Sequence, residues 1–72
     1  MKNPVNTINE KLNTQIIIEY IENNNLTKKE FCQQCKISIS TFYKIINGKN
    51  FNLISLFKIA KIIEVPIHMF FK

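Results

Sequence analysis

Residues 26–49 read LTKKEFCQQCKISISTFYKIINGK, and the way this stretch divides decides the fold. Two helix starts lie inside it. Thr27-Lys28-Lys29-Glu30 has the spacing of a capping box, in which hydroxyl and carboxylate each satisfy a backbone amide left free at a helix start. That start predicts a short helix with Phe31, Cys32 and Cys35 inward, and with Leu26 packed just ahead of the cap. Ser38 then caps a second short helix whose inward residues are Phe42 and Ile45. Asn47-Gly48 stops it, because Gly accepts the left-handed conformation that closes helices.

Working outward, Thr7-Ile8-Asn9-Glu10 has capping-box spacing too, with Asn13-Thr14 as the alternative start of the same helix. Ile8, Leu12, Ile16, Ile17, Tyr20 and Ile21 recur at three- and four-residue steps and mark one apolar face. Asn23-Asn24-Asn25 ends that helix, since Asn side chains compete for the helical backbone and tolerate left-handed geometry. On the other side, Asn52 caps a fourth helix with Leu53, Leu56, Phe57, Ala60 and Ile63 inward. Val65-Pro66 breaks it, and Pro66 opens a last short helical turn carrying Ile67, Phe70 and Phe71. No period-two strand pattern is present. The expectation is a compact all-α, five-helix arrangement: one domain over 1–72, with 1–6 a flexible lead-in.

Composition agrees with a small helical core: 46% of residues are hydrophobic, against one Gly and two Pro. A domain of 72 residues has little stability to spare, which favours dimerisation or support from a ligand. All ten basic residues are Lys, and of the net charge of +5, residues 1–25 carry −1 and residues 26–72 carry +6. A basic surface gathered in one part of a domain suits a polyanion, although lysines also serve as a plain solubilising coat. No secretion signal or membrane span is legible, so a cytoplasmic location with reduced thiols is expected.

Two short helices so closely joined make a helix-turn-helix, the second presented outward for a DNA major groove. Residues 26–49 resemble the motif of Cro/cI-type phage repressors, the XRE family. Leu26 stands for the Leu before a capping Thr, Phe31 for a core Leu, and Cys32 for a small Ala. Cys35 takes another apolar position, Ile37-Ser38 matches a Val-Ser pair, and Asn47-Gly48-Lys49 matches the Asn-Gly-Lys exit. LISLFKIAKIIEVPIHMFF, residues 53–71, is similar to the family's fourth helix and short fifth helix. The likeness covers roughly residues 12–71 and implies a lambda-repressor-like domain. Two positions depart from the pattern. Lys36 holds a turn position often given to Gly, where left-handed geometry costs about 1 kcal/mol. Ile39 stands where a polar or basic residue commonly meets DNA, and offers thymine methyls an apolar contact instead.

The resemblance implies a sequence-specific transcriptional regulator, a repressor by expectation, that acts on double-stranded DNA. Ile39, Ser40 and Lys44 match base-reading positions, with Tyr43 beside them; on a helix capped by Ser38 all four face away from Phe42 and Ile45. Phosphate contacts are expected from Thr27, Lys28, Ser38, Thr41, Asn47 and Lys49, because helix starts favour anions. The apolar surplus of Ile67, Met69, Phe70 and Phe71 points to a homodimer on a two-half-site operator. Regulation would then come from abundance, oligomerisation or a regulatory protein partner.

Cys32-Gln33-Gln34-Cys35 lacks the strand-helix context of a thioredoxin-type pair, and His68 is the sole His to complete a zinc site. Both thiols are expected in the core, with no metal and no cofactor. Nor is an enzyme expected, since one His and scattered Glu form no acid–base pair. Two rival readings stand: a protein-interaction module on the same fold, such as an antitoxin or phage accessory factor, and a thiol or metal switch through Cys32 and Cys35.

Overall fold

The computed structural model describes the backbone of Thr7–Ile8 and residues 11–71. Chain order is β1 (Thr7–Ile8), α1 (Gln15–Asn23), α2 (Lys28–Cys35), α3 (Ile39–Asn47), β2 (Phe51–Asn52), α4 (Leu53–Ile63) and a 3-10 turn, Ile67–Phe70. Among the described residues the architecture is mostly helical, with four α-helices; the expected fifth is this 3-10 turn. The lead-in expected over 1–6 lies outside the described residues.

Helix closure is handled the same way after each of α1 to α4, the Val65 amide donating to the Ala60 carbonyl at 3.2 Å in the last case. After α1, Asn25 is left-handed (φ 54°), and the Leu26 amide donates to the Ile21 carbonyl at 3.0 Å. After α2, Lys36 is left-handed (φ 60°), and the Ile37 amide donates to Cys32 at 3.0 Å. After α3, Gly48 takes φ 69°, and the Lys49 amide donates to Lys44 at 3.0 Å. Each bond returns a carbonyl that the helix end would leave unpaired. The α4 helix ends at a left-handed Glu64 (φ 69°), one residue before the expected Val65-Pro66 break.

Two expectations need correction. Thr7 and Ile8 do not open α1. They pair antiparallel with Asn52 and Phe51 respectively, so the chain runs extended there and the helix starts behind Thr14. The alternative start at Asn13-Thr14 holds, although Thr14 makes no side-chain cap bond. Pairing with the segment before α4 satisfies backbone groups that a longer α1 would have satisfied within itself. Second, Phe57 is 49% exposed rather than inward. The inward arc of α4 is set by Leu56, Ile59 and Ala60, all buried. Phe57 lies about 100° from Leu56, on the flank away from Ile59.

Leu12, Ile17, Ile21, Phe31, Cys32, Cys35, Phe42, Ile45, Phe51 and Phe70 complete one buried cluster with those α4 residues. An aromatic chain runs through its middle. Tyr20 meets Phe31 at 5.7 Å between ring centroids, and Phe31 meets Phe42 edge-on at 6.0 Å. These contacts fasten α1 to α2 and α2 to α3, adding about 0.5–1.5 kcal/mol each beyond simple burial. The C-terminal turn closes the base: the Asn13 amide donates to the Phe70 carbonyl at 2.9 Å.

Candidate nucleic-acid interface

Helices α2 and α3 are joined by Lys36, Ile37 and Ser38 alone. Ile37 packs against the core and anchors the turn, while Lys36 supplies its reversal. The Lys58 ammonium donates to the Lys36 carbonyl at 3.4 Å, tying α4 to the same turn. With Phe42 and Ile45 buried, the orientation of α3 about its own axis is set. At about 100° per residue, positions 39, 43, 47, 40 and 44 then fall in order across an arc of about 140° on the far side. Ile39, Ser40, Tyr43, Lys44 and Asn47 are all exposed. The structure therefore gathers the expected base-reading residues onto one outward surface. Tyr43 stands with its ring edge-on to Phe42 at 5.5 Å, which steadies it from below.

The flanking residues expected at phosphates divide by helix. At α2 the capping box is closed in both directions: the Thr27 amide donates to the Glu30 carboxylate at 2.8 Å, and the Glu30 amide to the Thr27 hydroxyl at 3.0 Å. The Glu30 charge partly offsets the positive helix end, so the ammonium groups of Lys28 and Lys29 must supply most of the attraction there. At α3 no acidic residue occupies the first turn. The Thr41 amide donates to the Ser38 hydroxyl at 3.0 Å, and that hydroxyl donates to the Thr41 oxygen at 2.9 Å. Ser38 thus spends its proton on Thr41, whose own proton remains to be donated to an approaching anion. Asn47 and Lys49 are exposed at the far end of α3.

Sequence reasoning overlooked Lys29 and Gln33. They line a hollow of about 420 Å³ with Cys32, Ile37 and Ile39, beside the start of α3. Their spacing of four residues on α2 was the available signal. Cys32 and Cys35 are buried. Burial pushes the Cys32 thiol above its ordinary value, and burial followed by the neighbouring Cys32 pushes Cys35 up to about 12. Both shifts favour the neutral thiol at neutral pH, which does not favour a nucleophilic role. Among the described residues no group of three or more His, Cys, Asp or Glu is gathered as a metal site, and His68 is exposed. No helix there is long and apolar enough to cross a membrane.

The four residues expected at a dimer interface separate. Phe70 is buried within the protomer and is a core residue, which removes it from any contact with a second copy. Ile67 and Phe71 are partly buried against the core, and Met69 is 45% exposed.

Two closely joined helices, with an exposed second helix held by its buried face, define the helix-turn-helix class. A family model described as helix-turn-helix matches residues 17–70. The chain belongs to that family, in its XRE, lambda-repressor-like form, a family of regulators that bind double-stranded DNA. Neither the curated proteins nor the solved structures contain a significant match.

Proposed function

We propose that this chain acts as a sequence-specific transcriptional repressor and places α3 in the major groove of an operator with two half-sites. The observation that carries the reading is the outward arc of Ile39, Ser40, Tyr43, Lys44 and Asn47 on a helix whose opposite side is buried. Lysines around this arc displace counterions and supply most of the affinity, whereas groups reaching base edges choose the sequence. Ser40 and Lys44 donate to base acceptors, Lys44 suiting the O6 and N7 of guanine. Thr27, Lys28, Ser38, Thr41, Asn47 and Lys49 hold the backbone on either side. Two copies would place their α3 helices about one turn of duplex, roughly 34 Å, apart. Repression follows if an occupied operator blocks access to a promoter.

The test is binding-site selection from random duplex DNA, followed by titration of variants at several salt concentrations. Lys44→Ala should relax discrimination at one position of the half-site. Lys28→Ala should weaken all sequences alike and lower the salt slope by about one. Equal losses on every sequence for both variants would refute the division of roles.

A second reading has its own support. Ile54 and Phe57 on α4 are 55% and 49% exposed and lie three residues apart, a larger apolar showing than solvent favours. A tight complex with another protein, and no duplex binding at low salt, would make the chain a protein-interaction module instead.

A further inference from the structure

The outward face of α3 is less polar than its proposed task suggests. Of the four residues expected to read bases, Ile39 is 42% exposed and Tyr43 is 47% exposed. They are four residues apart, on adjacent turns of one helix face, so their side chains form a continuous ledge. Ile39 has no polar atom beyond its backbone, and Tyr43 carries its hydroxyl only at the ring tip. The Ile39 end of the ledge continues into the hollow beside α2, where Cys32 and Ile37 add apolar surface and Lys29 and Gln33 add polar groups. Apart from the Tyr43 hydroxyl at its tip, the ledge offers no side-chain hydrogen-bonding group to a base edge. In the major groove one base feature is apolar: the 5-methyl group of thymine.

We propose that this ledge selects thymine methyls, with Ile39 and Tyr43 each covering one, at neighbouring thymines of the half-site. The inference rests on the reading of α3 as the groove-binding helix and adds the chemical feature that it seeks. Ile39 is the first residue of α3 and Tyr43 lies one turn further along. Methyl contacts therefore cluster toward the start of the helix, and Lys44 beside Tyr43 takes the polar edge of a base pair. Leaving the ledge wet against a cytosine or purine edge would forfeit that burial and strand a base donor or acceptor.

The experiment uses the full chain and the duplex recovered by site selection, with each thymine replaced singly by deoxyuridine, which deletes one methyl and nothing else. At two thymines the substitution should weaken binding about four-fold each, the ratio given by burying one methyl group. In Ile39→Ala the loss at one of them should vanish, and in Tyr43→Ala the loss at the other. Ile39→Val and Tyr43→Phe should keep both losses, because branched carbon and ring remain. Thermal melting confirms that these surface variants are folded. Specific binding that ignores deoxyuridine at every position would overturn the inference while leaving the DNA-binding reading intact. Absence of specific duplex binding by the unaltered chain would remove both.

Discussion

Lys36 carries a backbone cost that its side chain does not relieve. Its φ of 60° and ψ of 45° lie in the left-handed well, where a Cβ meets the following carbonyl oxygen. Asn25 and Asn50 share that well (φ 54° and 55°), but Asn tolerates it better than Lys does. Lys36→Gly should therefore raise stability by up to about 1 kcal/mol, after subtracting the greater freedom of Gly in the unfolded chain. In a domain of this size that is a Tm gain of up to about 6 °C, read by thermal unfolding. The Lys36 carbonyl that accepts from Lys58 is kept in the variant, so a fall in Tm would contradict the strain assignment. The buried thiols make a second prediction. Their folded pKa values exceed the unfolded value near 9.0, so the unfolded chain loses protons first. The stability they contribute is intact below about pH 9 and is lost at higher pH, for Cys35 as pH rises toward about 12. Urea unfolding at pH 8, 9 and 10 should show a decline that is shallower in Cys35→Ala.

The helix starts are unequal, and the inequality can be measured. Ser38 accepts from the Thr41 amide, whereas Thr14 makes no side-chain cap bond. Ser38→Ala should cost about 1 kcal/mol and Thr14→Ala less than about 0.5 kcal/mol, compared through urea midpoints. Equal costs would show that the cap bond at Ser38 does not hold α3 in place. These element boundaries were largely legible beforehand. Capping at Thr27 and Ser38, and closure at Asn25 and Gly48, are local chemistry between residues two to five apart. Left-handed geometry at Lys36 was legible too, as a departure from Gly. The start of α1 was not, because the capping-box spacing at Thr7 stood ahead of the alternative start at Asn13-Thr14. The choice depended on a partner, Phe51-Asn52, more than forty positions away.

Across the molecule, the C-terminal turn joins both ends of the fold: Phe70 is buried, and its carbonyl accepts from Asn13. Phe70→Ala should cost about 3–5 kcal/mol, a large share of what so small a domain holds. The variant should be largely unfolded by circular dichroism at room temperature. A variant that melted like the parent chain would overturn the core role of Phe70. Met69→Ala should melt like the parent chain, since Met69 faces solvent.

The residues that read DNA in this proposal were legible from one local fact: Ser38 starts a helix in which Phe42 and Ile45 must point inward. Helical periodicity then leaves Ile39, Ser40, Tyr43 and Lys44 outside, and no distant contact is needed to say so. The phase of α4 was different. Its run of Leu, Ile and Phe offers several apolar arcs of similar quality, and Phe57 lost to Ile59 only when α4 was packed against the rest of the core. Likewise Phe70 and Met69 are equally apolar neighbours in the chain, yet one fills the centre and the other meets water. Periodicity chooses a face when polar residues mark its opposite; where both faces are apolar, only packing against the other helices can choose.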